Sequence, residues 1–247
     1  MLETYYIGTY WGARNEDALA CARRLSTLIH LLQPVDPLLA SWFKSAKSLK
    51  QSLTHPLELD LHNLQKHIQR KPMRDDRRQV MEDLGFSFGL WNGGQAGNDV
   101  WLSIACGGVW ERVNNYCLLD APYKGPGSER VLTTDFQVQA LRALAAAWDP
   151  DWGVAMSHAH REIIKEKCPY VKVGWVTYLS SRLGRVPPLP APVRIEPVED
   201  KGSLVILTPE RFTASSPEHV ALAERVRELL DRAGLLTARP AQPSKQQ

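Results

Sequence analysis

The side chains with the richest chemistry lie at His158-Ala159-His160, with Glu162 just beyond. Two imidazoles and a carboxylate are the donor types of a zinc or iron site, or of a general base. Such metal sites need three or four convergent ligands, and no ordered H-E-x-x-H spacing is present. The pair therefore reads as polar surface at a loop or helix start, and His30, His55, His62, His67 and His219 form no better pattern. Carboxylates pair at Asp75/Asp76 and Asp149/Asp151, each in a polar context that gives no reason for a raised pKa. Cys21, Cys106, Cys117 and Cys168 include no C-x-x-C pair, which argues against a zinc ribbon or redox motif. They read as small buried hydrophobes.

Three other site types fail on spacing. The loop Asn92-Gly93-Gly94-Gln95-Ala96-Gly97-Asn98-Asp99 resembles a phosphate cradle in composition. It leads into a second alternating segment rather than a helix, and no Lys-Ser or Lys-Thr pair follows it, so it reads as a hairpin turn. No G-x-S-x-G elbow or Walker loop occurs, and Gly125-Pro126-Gly127 is a fragment of G-x-G-x-x-G without its third glycine. From Lys44 to Arg78 the chain is basic, through Lys44, Lys47, Lys50, Lys66, Arg70, Lys71, Arg74, Arg77 and Arg78. Almost no aromatic ring interleaves them for base stacking, and Asp60, Asp75 and Asp76 interrupt them, so a solvated helical surface is the reading.

The totals agree. A net charge of +3, from 30 basic and 27 acidic residues, is too small for a nucleic-acid binder. No apolar run reaches membrane-spanning length, and the start Met1-Leu2-Glu3-Thr4 lacks a secretion signal, so a cytoplasmic protein is expected.

The elements that would position these residues centre on a hairpin. Leu84, Phe86, Phe88 and Leu90 alternate with Gly85, Ser87 and Gly89, and Val100, Leu102, Ile104 and Cys106 alternate with Ser103 and Ala105. Period two predicts two strands with one buried face and one face of small residues. A packed helix or a partner protein could lie close against the second face. Tyr5–Trp11 predicts a first strand. Asn15 is the expected cap of a helix burying Ala18, Cys21, Ala22, Leu25, Leu28, Ile29 and Leu32. Asp36-Pro37 predicts a second helix through Leu39, Trp42, Phe43 and Ala46. Leu57, Leu61, Leu64 and Ile68 fit a third. Asn115 to Leu119 could add a strand.

Thr134 with Gln137 reads as a capping box for a helix with Val138, Leu141, Leu144, Ala145 and Trp148 inward. Asp149-Pro150-Asp151 then makes an exposed turn beside Trp152. Tyr170 to Ser180 alternates as a strand. The prolines from Pro187 to Pro197 form a stiff connection, and a hairpin turns near Asp200-Lys201-Gly202. Ser216-Pro217 caps a last helix that stops at Gly234. Hairpin signals outnumber βαβ rhythm, which predicts an α+β fold: a mainly antiparallel sheet with helices packed on it. Residues 1–236 are expected to form a single domain and 237–247 a disordered tail. From the residues alone the chain is a soluble α+β protein and not an enzyme, with no cofactor.

The runs Tyr5-Tyr6-Ile7-Gly8-Thr9-Tyr10-Trp11-Gly12-Ala13-Arg14, Asp83-Leu84-Gly85-Phe86-Ser87-Phe88-Gly89-Leu90-Trp91-Asn92-Gly93 and Val173-Gly174-Trp175 resemble the immunity protein 52 family of bacterial polymorphic-toxin systems. The resemblance runs from about Tyr5 to about Leu236. It implies a binding protein made beside a toxin, often one delivered by type VI secretion, which it neutralises in a tight complex. It implies that the toxin is a nuclease of restriction-endonuclease-like fold, and that the partner is this protein, not nucleic acid or a membrane. An inhibitor mimicking DNA would be acidic, so at +3 a local acidic patch or blockade away from the toxin's active site is expected. The candidate contacts are Asp75, Asp76, Asp149, Asp151, Glu199 and Asp200, with Trp152 beside the turn. Trp11 and Trp91 are expected to anchor the core, and Arg14 to pair with a carboxylate or carbonyls there. The alternative is a hydrolase or transferase with a site around His158, His160 and Glu162.

Overall fold

The computed structural model describes residues 2–165 and 170–236. The expected tail at 237–247 and Cys168 lie outside the described residues. The strand the sequence puts first becomes the middle of the molecule. β1 (Tyr5–Trp11) is flanked by β5 (Asn115–Asp120) and β6 (Trp152–Ser157), and both pairings are antiparallel. Outward on one side come β4 (Trp101–Cys106), β3 (Phe86–Trp91) and the two-residue β2 (Phe43–Lys44). On the other come β7 (Val176–Ser180), β9 (Gly202–Ile206) and β8 (Arg194–Val198). All nine strands form one antiparallel sheet, and with its helices the fold is α+β.

The central hairpin has the register its alternation predicts. Phe86 faces Cys106, Phe88 faces Ile104 and Leu90 faces Leu102. Leu90, Leu102, Ile104 and Cys106 are fully buried, and Phe86 is half-buried at the strand start. On this side of the sheet α3 (Leu61–Gln69) packs on β3, α5 (Thr134–Trp148) packs on β1, β6 and β7, and α1 (Ala18–Leu32) packs on both helices; the short α2 (Leu49–Ser52) and α4 (Pro126–Val131) precede α3 and α5 in the chain. His67 of α3 sets its ring edge-on to Phe88 at 5.6 Å, and Trp148 of α5 stacks on Trp11 at 5.2 Å. Each fully buried large aliphatic side chain contributes about 1.5–3 kcal/mol over leaving it in water. The seven residues that α1 buries are those the 3.6-residue period selects. At Gly89 on the small-residue face a loop approaches rather than a helix. The Ser45 hydroxyl donates to the Gly89 carbonyl at 2.9 Å, and a Cβ on Gly89 would stand 3.2 Å from it.

Several local expectations are displaced. The cap of α1 is Asp17, whose carboxylate accepts the Ala20 N–H at 2.7 Å, not Asn15. Asp17→Ala is therefore expected to cost about 1 kcal/mol of stability in a denaturant titration. Asn15→Ala should stay within ~0.5 kcal/mol, and reversed magnitudes would refute the assignment. Thr133, not Thr134, caps α5, by accepting the Phe136 N–H. The Thr134 hydroxyl instead donates to the carbonyls of Thr208 and Pro209, and Gln137 donates to the Val131 carbonyl, so no capping box closes.

The helix expected through Trp42 and Ala46 is only a 3-10 turn at Pro37–Leu39. Its Asp36 cap is real, and Arg130 holds it in place by pairing with the same carboxylate. Beyond it the backbone is claimed by the sheet: Phe43 pairs with Trp91, and Lys44 N donates to the His55 carbonyl. α3 begins at Leu61 on the Asp60 cap, so Leu57 precedes it and Leu61 itself faces solvent. The strand expected over Tyr170–Ser180 is confined to Val176–Ser180.

Candidate functional site

The histidine motif is not brought together. Ser157 caps the short helix α6 (His158–Ile163) by accepting the His160 N–H. Positions two apart on a helix point to different sides. His158 is exposed with its ring 4.9 Å from Tyr6, whereas His160 is fully buried 4.8 Å from Phe212. Burial lowers the His160 pKa to about 4, so its ring is neutral. Glu162 is on the surface with Lys165 at 3.4 Å. Among the described residues no three His, Cys, Asp or Glu side chains converge on one point. Cys21, Cys106 and Cys117 are free thiols in the core. A hydrogen bond with Cys21 and burial together raise the Cys106 pKa, and burial raises that of Cys117, which keeps both protonated.

Four of the candidate acidic positions meet at one end of the sheet. The turn 149–151 is expected to be exposed, but the structure encloses it. Asp149 ends α5 in the left-handed region at φ 46°, and Asp151 is 8% exposed, accepting the Gly12 N–H at 2.9 Å. Arg182 spans both carboxylates, at 2.9 Å from Asp149 and 3.3 Å from Asp151. Burial would lower the Arg182 pKa, but the two carboxylates outweigh it and raise it. Arg14 donates to the carbonyls of Trp148 and Asp149, both at 2.6 Å, so its partners are carbonyls. Trp152 is buried at 4%, stacked on Tyr10 at 4.4 Å. Asp151 and Trp152 therefore have packing and hydrogen-bonding roles, because the start of β6 lies between β1 and β7.

Glu199 and Asp200 sit on the nearby β8–β9 turn, both exposed. The Ser181 hydroxyl and N–H donate to the carbonyls of Asp200 and Lys201, tying this turn to the segment that carries Arg182. Lys201 pairs with Glu199 at 3.1 Å and donates to the Ala146 carbonyl. A cleft of about 880 Å³ lies beside the turn, lined by Leu179, Ile195, Pro187, Pro188, Glu199 and Asp200 among others. Asp75 and Asp76 are elsewhere, on a tight turn next to β3 at the opposite end of the strand order. Asp75 accepts the Gln79 N–H there, and Asp76 is exposed.

A further surface escapes sequence reasoning. Trp110 is 45% exposed on the β4–β5 loop, although Trp11, Trp42, Trp91, Trp148, Trp152 and Trp175 are buried. The run Gly107-Gly108-Val109-Trp110-Glu111-Arg112-Val113 has neither helical nor strand period. Nothing in the sequence separates this tryptophan from the core ones.

Against known proteins, the family model described as immunity protein 52 matches residues 3–239. Among solved structures, the chain is similar in fold to a Pseudomonas aeruginosa protein titled T6SS protein PA0821, with a TM-score of 0.56 at 13% identity. The match covers 94% of this chain and 73% of that one. A search of curated proteins finds no match. No helix among the described residues is long and apolar enough to cross a membrane. With its model matched from before β1 to beyond α7 (Pro217–Arg232), the chain belongs to the immunity protein 52 family.

Proposed function

We propose that this protein neutralises one cognate toxin, a nuclease of restriction-endonuclease-like fold, by forming a tight complex with it in the cytoplasm, and that it is not an enzyme. The observation that carries this reading is the match to the immunity protein 52 family over residues 3–239. The fold likeness to a protein titled T6SS protein supports delivery of the toxin by type VI secretion. The geometry supports binding over catalysis, since His158, His160 and Glu162 point to different surroundings. The net charge of +3 supports recognition by surface fit over wholesale imitation of DNA. Of the acidic candidates, Asp76, Glu199 and Asp200 offer exposed side chains, Asp75 and Asp149 offer partial exposure, and Asp151 and Trp152 would act by shaping the surface.

An inhibitor must outlast the encounter between toxin and chromosome, which requires slow dissociation. The test is co-expression with the toxin encoded beside this gene, followed by co-purification and growth. The expected result is survival, co-elution and nanomolar or tighter affinity. Cells killed by the toxin while this protein is abundant, folded and unbound would overturn the reading. So would protection that persists without a complex but needs His158 and His160.

A further inference from the structure

We propose that the toxin docks on the loop between β4 and β5, where Val109, Trp110 and Val113 enter an apolar pocket of the toxin that is rimmed by carboxylates. This rests on the proposed immunity role and names the surface that would perform it. Val109 is 37%, Trp110 45% and Val113 38% exposed, and Val80 on the adjoining segment is 46% exposed. Single exposed apolar side chains are ordinary, but several on one loop, with a tryptophan among them, are the residue types that anchor interfaces. Backbone bonds hold the three loop residues in place, while Val80 lies on the paired segment that leads to Asp83. The N–H groups of Val109 and Trp110 both donate to the Asp83 carbonyl, at 2.8 and 3.1 Å, and Val113 N donates to the Trp110 carbonyl.

The base of the loop is rigid. The Asn115 side chain accepts the Gly108 N–H at 2.8 Å and donates to the carbonyls of Gly108 and Gly12, while Arg14 N also donates to the Gly108 carbonyl. Gly85, at φ +67°, presses against the same loop: a Cβ there would fall 2.3 Å from the Cys106 carbonyl oxygen. Such close approach is open to glycine alone. A tryptophan presented on an immobilised loop loses little entropy when it binds.

Charge identifies the chemistry of the partner. Arg142, Arg182 and Lys201, on the far side of the sheet, are each neutralised by a carboxylate. Arg74, Arg77 and Arg78 on the turn next to β3, and Arg112 on the loop itself, form no ion pair among the described residues. Glu82, Asp83 and Glu111 are interleaved, so the arginine-rich turn is the positive side of a mixed rim. Arg74 donates to the Arg78 carbonyl, which leaves its charge uncompensated, and arginines without a carboxylate partner near an exposed tryptophan suit a protein surface bearing carboxylates. A nucleic-acid backbone would engage the cations and leave Val109 and Val113 without a role.

The experiment uses the full chain and the purified toxin, with a catalytically dead toxin where needed. Trp110→Ala is expected to weaken binding at least about thirty-fold through faster dissociation. Arg77→Glu with Arg112→Glu should slow association and remove most of its salt dependence. Both should melt as the parent does. Hydrogen exchange on the unmodified complex, which needs no variant, should protect the amides of residues 109–113. Parent-like affinity in both the Trp110 and arginine variants, or protection confined to the β8–β9 turn, would overturn the inference while leaving the immunity role intact. An unmodified protein that fails to bind the toxin would instead overturn the role. A DNA duplex that the free protein holds and Trp110→Ala releases would overturn the protein-pocket assignment.

Discussion

Trp148→Ala is expected to lower the unfolding free energy by about 3–5 kcal/mol, the range for removing a large buried aromatic. Trp148 has no exposed surface and closes α5 where that helix meets the middle of the sheet. Its ring stacks on Trp11, itself 1% exposed, with centroids 5.2 Å apart and planes 18° from parallel. Truncation would leave a void against Trp11 that nearby backbone is poorly placed to fill. Arg14 fixes the carbonyls of Trp148 and Asp149, and Arg24 fixes that of Ala147. For a domain of this size each kcal/mol shifts the midpoint by roughly 2–4 °C, so a fall on the order of 10 °C is expected in a melting scan. Trp148→Phe, which retains stacking, should lose less than half as much. A midpoint within about 2 °C of the parent for the alanine variant would show that the stack does not hold α5 to β1.

The same elements show what was legible beforehand. In α1, α5 and the β3–β4 hairpin the element and its buried face follow from the hydrophobic period, whereas the alternation over Tyr170–Ser180 yields a strand only where β6 and β9 pair with it, from Val176 on. One strong face decides those segments, so local pattern and tertiary packing agree. Caps slipped because several candidates stand together: Asn15 and Asp17 both suit the start of α1, and only the path of the chain selects Asp17. The segment after Pro37 carries helix-compatible spacing, but Phe43 and Lys44 are drawn into pairing with β3, a long-range choice that periodicity does not carry.

The candidate site was less legible still. Asp149, Asp151, Glu199 and Asp200 are charged residues flanked by turn formers, which is how exposed loops read. Their grouping depends on Arg182, far away in sequence, which encloses two of them. Trp152 reads as a contact candidate beside that turn, but β6 is an inner strand, so both its neighbours cover it. The exposure of Trp110 follows from main-chain bonds at Asp83 and Gly108, which no residue pattern announces.

Acid is expected to destabilise the protein well above the pH at which its carboxylates titrate, with His160 the main cause. Its ring is fully buried between α6 and Phe212, and neither nitrogen has a hydrogen-bond partner. Burial depresses its pKa to about 4, with Glu3 and Glu224 opposing that shift. In the unfolded chain the group returns to about 6.5. Between those values the unfolded state binds the extra proton, so stability is full above about pH 6.5 and falls as pH drops toward 4. With one pKa unit worth 1.36 kcal/mol, the loss from this group reaches roughly 2.5 kcal/mol at pH 4.5. His67 acts in the same direction: burial first, then Lys44, Lys71 and Arg70, lower its pKa to about 4. Its partial exposure makes its share smaller. His160→Leu separates the two, because an apolar group of similar size needs no partner there and carries no proton. Denaturant titrations of both proteins from pH 7.5 to 4.5 are expected to give a shallower decline for the variant, the curves separating below pH 6.5. The contributions of carboxylates that do not interact with this ring, such as Asp36, whose pKa is lowered in the fold, are common to both and cancel in the comparison. Parallel declines across that window would show that His160 is protonated at no cost in the folded protein.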